Sequence, residues 1–245
     1  MVVPAITQAF GISALPSVTV AWTGGNRREL KQSMESVLRI TCLFCIPAGL
    51  GMSMLSGPLA GLIFGARASL PITSRVLVLM GIGAVFASVS TPINSMLQAV
   101  GRVDIPVKLL GIGLAIKVGL NYVLTGIPEI NILGAGAGTL VCYAFITVFG
   151  VILLCRVTKI TPNFLSVFIK PAGSALVCCT AAYLSQHFLA RVLPDTVSTL
   201  LALGVAFVTY VLALLLCRAL TKTDILMLPK GQKIAKLLEK HGWIR

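Results

Sequence analysis

Residues 132–155 read ILGAGAGTLVCYAFITVFGVILLC, an apolar run without a single Asp, Glu, Lys or Arg. At 1.5 Å per residue a helix of that length crosses the roughly 30 Å of hydrocarbon in a bilayer. Working outward from it, six more apolar segments of similar reach lie at roughly residues 2–22, 37–56, 76–98, 105–125, 171–190 and 197–217. They predict an all-α polytopic membrane protein of about seven transmembrane helices. Composition agrees: 57% of the residues are hydrophobic and 11% charged, against about 45–50% and about 25% in soluble domains. A water-soluble domain of this size has nowhere to hide that much apolar surface.

The cations test the segment count, because Lys and Arg in short loops stay on the cytoplasmic side. If the loops alternate, one side holds Arg27, Arg28, Lys31, Arg39, Arg102, Lys108, Arg156, Lys159, Lys170, Arg218, Lys222, Lys230, Lys233, Lys236, Lys240 and Arg245. The other side holds only Arg67, Arg75 and Arg191, with Lys117 inside a span. A wrong count would scramble that asymmetry. The implied topology places the first residues outside and the tail in the cytoplasm of a cell membrane. The net charge of +13 is thereby explained without nucleic acid, which would need its cations gathered on one soluble face. No Lys or Arg precedes Arg27, so residues 2–22 lack the basic start of a signal peptide and read as a span. An odd number of spans with an uncharged, exported start points to something missing upstream.

Small residues and cysteines take structural readings. Gly134, Gly136 and Gly138 have neither the preceding strand nor the Lys of a phosphate loop. Four-residue spacing of glycines in lipid lets two helix backbones approach, so Gly134 and Gly138 predict a packing seam. Pro16, Pro47 and Pro92 near mid-span predict kinks, and neighbouring helices must then satisfy the freed carbonyls. The seven cysteines, including the Cys42-x-x-Cys45 pair, lie in or at the ends of apolar stretches and read as small buried groups rather than metal ligands or disulfides.

The polar residues inside spans are the candidate site. Lys117 sits deep in 105–125, where a charge costs about 2.5–3.5 kcal/mol on insertion scales, and Asn121 follows one turn on the same face. On the preceding span Ser88, Thr91, Asn94, Ser95 and Gln98 fall within an arc of about 120°. Lys117, Asn121, Thr91, Asn94, Ser95 and Gln98 are the candidate substrate-binding residues, suited to the phosphate and hydroxyls of a saccharide carrier. The alternatives for them are hydrogen bonds between helices. There is no nucleotide-binding loop, no metal-ligand cluster and no set of nucleophile, base and orienter, so neither cofactor nor enzyme activity is expected. His187 and His241 read as loop or tail residues. The tail, 221–245, alternates Lys with Ile234, Leu237 and Leu238, a basic amphipathic segment for an anionic leaflet or a cytoplasmic partner.

Several stretches carry a resemblance: Ala14-Leu-Pro-Ser17, Thr23-Gly-Gly-Asn-Arg-Arg-Glu-Leu30, Leu97-Gln-Ala-Val-Gly-Arg102, Ile116-Lys-Val-Gly-Leu-Asn-Tyr122, Gly134-Ala-Gly-Ala-Gly-Thr139 and Asp224-Ile-Leu-Met-Leu-Pro-Lys-Gly231. In this order the chain resembles the polysaccharide biosynthesis protein family, especially its stage V sporulation protein B branch, within the multidrug/oligosaccharidyl-lipid/polysaccharide exporter superfamily. The resemblance implies a flippase of lipid-linked saccharides for peptidoglycan or polysaccharide, working by alternating access between two lobes of a fourteen-helix fold. Seven spans would match helices 8 to 14: residues 1–155 as five helices of the second lobe, 156–220 as two additional helices and 221–245 as a cytoplasmic tail. The first lobe would then be a partner missing from this chain, with Met1 an internal start or a truncation. The competing functions are a drug/cation antiporter of the same superfamily and a non-transporting membrane protein. The chain departs from the pattern at Val20, where members often carry an acid, so no ion coupling is assigned to that helix.

Overall fold

The turn between the first two helices shows how a few residues fix the order of the bundle. Helix α1 (residues 15–23) stops at Gly25, whose φ of +67° suits a residue without Cβ. Gly25 N–H donates to Trp22 O at 3.1 Å and Asn26 N–H to Ala21 O at 3.1 Å, the two bonds of a Schellman stop. Asn26 then caps α2 (Arg27–Met54), its Oδ1 accepting from Glu29 N–H at 3.3 Å. The same device ends α4 (Leu70–Ala99): Gly101 takes φ +81°, its N–H reaches Gln98 O at 2.9 Å, and Arg102 N–H reaches Leu97 O at 3.0 Å. Two of the stretches that carried the resemblance are thus helix stops. Beyond the second one, Asp104 opens α5 (Asp104–Thr125) between two cations, Arg102 Nε at 3.3 Å and Lys108 Nζ at 3.5 Å.

The computed structural model describes residues 15–65, 70–128, 130–163, 165–189 and 195–216, and every regular element among them is helical. After α5 come α6 (Ile132–Thr158), a π-helical turn (Leu165–Ile169), α7 (Lys170–Leu189) and α8 (Asp195–Leu216). Among the described residues six helices are long and apolar enough to cross a membrane. They correspond to the second through seventh expected segments. Most of the first segment, the tail and Cys217 lie outside the described residues.

Three details differ from the expectation. Helix α2 begins at Arg27 rather than near residue 37, because Arg, Glu, Leu, Lys, Gln and Met are all good helix formers. Arg39, expected on the cytoplasmic surface, therefore lies three turns inside α2 and is only 7% exposed. A short helix, α3 (Ser56–Phe64), stands between α2 and α4 and has no counterpart in the sequence reading. His187 falls in the last turn of α7 instead of a loop, its ring parallel to that of Tyr183 at 6.5 Å between centroids.

Helix α2 is the hub. It packs on α4 along one side and on α7 along another, while α6 lies against α4 and α5, and α8 against α7 and α3. Within the most apolar stretch of each helix, 61% of α2 is buried but only 11% of α5 and 22% of α8, so the last two are rim helices facing outward. The α2–α4 crossing is set by glycine. A Cβ on Gly49 would stand 2.6 Å from Gly81 O, and one on Gly81 would stand 2.6 Å from Gly49 O. Ser53 bridges the same crossing, its hydroxyl within 3.0 Å of Val78 O and of Gly49 O. The glycine seam expected on α6 is present against α5, where Gly134 faces the backbone of Leu124 and Thr125 and Gly138 faces Asn121. Five of the six described cysteines are buried, Cys155 is half-buried, and all six are free thiols.

Candidate functional site

Helix α4 has three faces. Gly81 and Val85 meet α2. Gly83, Phe86 and Ile93 meet α6, the Phe86 carbonyl accepting from Thr147 Oγ1 at 2.8 Å. At about 100° per residue the polar arc occupies the remaining side. Ser88 is fully buried there, Thr91, Asn94 and Ser95 are half-buried, and Gln98 is exposed. Two hydroxyls bond back to their own helix, Thr91 Oγ1 to Ala87 O at 3.0 Å and Ser95 Oγ to Thr91 O at 3.2 Å. Ser88 Oγ and Asn94 Oδ1 are buried and reach no hydrogen-bond partner among the described residues. Most buried polar atoms have a partner, so these two are exceptions at the edges of this face.

Lys117 and Asn121 stand elsewhere. Helix α5 packs along α6 and makes little contact with α4. Its inward face carries Leu109 and then Gly113, which sits against Ile146 and Cys142 of α6. Lys117, half-buried, is one turn beyond Gly113, and its carbonyl lies at the Gly138 seam. Asn121 Oδ1 points at Gly138 and has no hydrogen-bond partner among the described residues. The fold therefore keeps the polar arc of α4 and the Lys117–Asn121 pair as two separate polar spots.

A third feature was not foreseen. Helices α2, α3, α7 and α8 enclose a groove of 610 Å³ whose walls include Phe44, Pro47, Met52, Leu59, Cys178, Cys179, Ala182, Leu203, Phe207 and Val211. Apart from two thiols, one thioether and one hydroxyl, its lining side chains are hydrocarbon. The hydroxyl belongs to Tyr210, which donates to Leu43 O at 2.5 Å. Leu43 is four residues before Pro47, so this is the carbonyl that the proline leaves without a helical donor. The expectation that a neighbouring helix satisfies a proline-freed carbonyl is met here by α8. Tyr210 went unnoticed in the sequence because a tyrosine in an apolar span reads as bulk; Pro47 was the available signal that a donor had to come from somewhere. Glu35 was also missed. Its Oε1 accepts from Asn163 N–H at 2.8 Å and lies 3.9 Å from Lys31 Nζ, tying α2 to the link between α6 and the π-helical turn.

With this geometry in hand, the likenesses to known proteins are informative. The chain is 28% identical over 157 residues to the Lipid II flippase MurJ of Bacillus subtilis, covering 64% of this chain and 28% of that protein. It is 27% identical over 143 residues to the Probable low-salt glycan biosynthesis flippase Agl15 of Haloferax volcanii, covering 58% of this chain and 29% of the relative. Among solved structures, Lipid II flippase MurJ in its inward closed conformation superposes with a TM-score of 0.59 over 85% of this chain and 43% of that one, at 18% identity, a likeness of fold. The chain thus spans well under half the length of the relatives it matches. The MatE family model matches residues 1–123, a range that holds both glycine helix stops, the α2–α4 crossing, the polar arc and Lys117. This multi-pass helical membrane protein belongs to the MatE family.

Proposed function

We propose that the chain forms part of a transporter that moves a lipid-linked saccharide across a bilayer. The observation that carries this reading is the apolar groove between α2, α3, α7 and α8. A lipid-linked saccharide needs a hydrocarbon seat for its chain and polar groups for its phosphate and sugar. The groove supplies the first. The polar arc Thr91, Asn94, Ser95 and Gln98 supplies the second, on an α4 side that neither α2 nor α6 covers, with Lys117 and Asn121 as a second polar spot. Both relatives are named as flippases of this kind, which favours this reading over a drug/cation antiporter. Moving such a substrate requires no chemical step.

The wider assignments belong to the same proposal. Helices α1 to α6 make the second lobe of a two-lobe carrier, and α7 and α8 are an added pair that docks on α2 and α3. The seven spans correspond to helices 8 to 14, the first lobe supplies the opposite wall of the cavity, and the tail lies on the cytoplasmic face of the cell membrane. A continuous reading frame upstream of Met1 that encodes seven further apolar spans is the result expected on sequencing that DNA.

The function is tested by reconstituting the full reading frame that contains this chain into vesicles with a fluorescent polyprenyl-diphosphate saccharide. Exposure of the label to a membrane-impermeant quencher is followed over time. Filling the groove with Ala48→Trp is expected to remove most of the transport. Lys117→Ala and Gln98→Ala are expected to slow it, about tenfold for the lysine, the worth of one charge-assisted hydrogen bond. Unchanged transport in the groove variant, with normal insertion, would overturn the reading; unchanged transport in the other two would remove those residues from the site.

A further inference from the structure

We infer that Tyr210 is the positioning residue that sets the width of the groove, by standing in for the backbone N–H that α2 lacks at Pro47. The inference rests on the groove's role proposed above, but its observations are independent of any substrate. Proline has no N–H and cannot close the helical bond to the carbonyl four residues back. In hydrocarbon no water replaces it. The structure shows the replacement: Tyr210 Oη, on α8, donates to Leu43 O at 2.5 Å. Leu43 is 4% exposed, so the bond lies between the helices. A second side-chain to backbone bond joins α7 to the same helix, Cys178 Sγ on α7 donating to Ala206 O on α8 at 3.0 Å.

These two bonds are one turn apart on α8, and together they make α8 a wall fastened to α2 and to α7. That fastening matters because helices in lipid gain little from hydrophobic burial against each other, so packing and side-chain hydrogen bonds decide how closely they stand. Helix α8 is a rim helix with most of its apolar surface facing outward, and Phe207 and Val208, between the two bonded positions, are 70% and 56% exposed. Losing the Tyr210 hydroxyl would leave Leu43 O unpaired. The carbonyl would then have to be reached by water or another group, which means α8 moving away from α2 and the groove widening.

The coupling to Pro47 makes this specific. If Tyr210 acts only as bulk, replacing Pro47 has no bearing on it. If it substitutes for a missing helical donor, Pro47→Ala restores that donor and makes the hydroxyl dispensable. Cys178 and Cys179 line the groove at 4% and 2% exposure, so they report its width directly. The experiment is site-resolved mass spectrometry of N-ethylmaleimide modification in membranes carrying the complete protein, with Cys142 on α6 as internal reference. Tyr210→Phe is expected to speed modification of Cys178 and Cys179 about three- to fifteen-fold, the span implied by hydrogen bonds measured within membranes, and to leave Cys142 unchanged. Pro47→Ala alone is expected to match the wild type, and P47A/Y210F to return to within about twofold of it. Equal rates in Tyr210→Phe and wild type, or failure of Pro47→Ala to suppress the change, would overturn the inference. Should the Tyr210→Phe protein not accumulate, the double variant is expected to accumulate normally, and its failure to do so counts against the proposal. None of these readouts requires transport, so the inference and the proposed function fail separately.

Discussion

Gly81 shows how much one missing methyl group decides. Its partner across the α2–α4 crossing is the backbone of Gly49, at 2.6 Å from where a Cβ would sit, and the Ser53 hydroxyl bound to Val78 O spans the same contact. A backbone atom cannot rotate out of the way, so Gly81→Ala must push α2 and α4 apart and strain the Ser53 bond. The expected cost is about 1–3 kcal/mol, the usual penalty for overpacking, seen as a lower melting temperature of the detergent-purified protein. Gly51, on the α2 side of the pair but with nothing within 4 Å of its Cβ position, is the control: Gly51→Ala is expected to leave the melt unchanged or raise it, since alanine is the better helix former. Sequence alone could not separate these two glycines. Each sits in an apolar run, and what differs is whether a partner helix stands against it. The same is true of Tyr210, whose role is visible only once α8 is seen against Pro47. By contrast, the depth of Lys117 within a span was legible, because depth along a helix is counted in residues.

At the scale of elements, scarcity of charge over sufficient length is a signal that survives without any knowledge of packing, and six of the expected segments stand as helices. Element ends are another matter. The start of α2 is polar yet helical, and α3 is too short to register as a span. The polar arc of α4 was legible as an arc, since 100° per residue is a property of the helix itself; what it faces is a property of the bundle. The α5–α6 seam permits a graded test of how helices meet here. A Cβ on Gly134 would stand 2.6 Å from Leu124 Cβ, 2.9 Å from the Leu124 carbonyl carbon and 3.0 Å from Thr125 N, atoms that the backbone holds in place. One on Gly138 would meet the end of the Asn121 side chain, which has no hydrogen bond to lose among the described residues and can turn aside. Gly134→Ala is therefore expected to destabilise by about 1–3 kcal/mol and Gly138→Ala by well under 1. Melting curves of the two variants check the order; a reversed order would mean that the helices cross elsewhere.

At the scale of the whole molecule, the short turns and the charge distribution constrain the same quantity, the side of the bilayer on which each turn lies. The turn between α4 and α5 carries Arg102, with Lys108 one helical turn later. The link from α6 to α7 carries Lys159, with Arg156 in the last turn of α6 and Lys170 at the start of α7, and the α1–α2 turn runs into Arg27, Arg28 and Lys31. Among its described residues, the α5–α6 turn has no cation. If α5 crosses the bilayer once between the Arg102 turn and the Ile127 turn, as its length and composition allow, those turns lie on opposite faces, and retention of cations on the inner side predicts which is which. Val103 and Ile127 are 57% and 38% exposed, so a cysteine at either position is open to reagent. The native thiols described lie within the helices and five of the six are buried, which leaves a low background. In intact cells a membrane-impermeant maleimide is expected to label Ile127→Cys and to reach Val103→Cys only after permeabilisation. Labelling of both from outside would mean that α5 does not span. Labelling of Val103→Cys alone would invert the protein, putting the basic turns and the polar arc's Gln98 end in the outer leaflet. In that orientation the charge asymmetry would have no physical cause, since an exported loop is under no constraint to keep its cations.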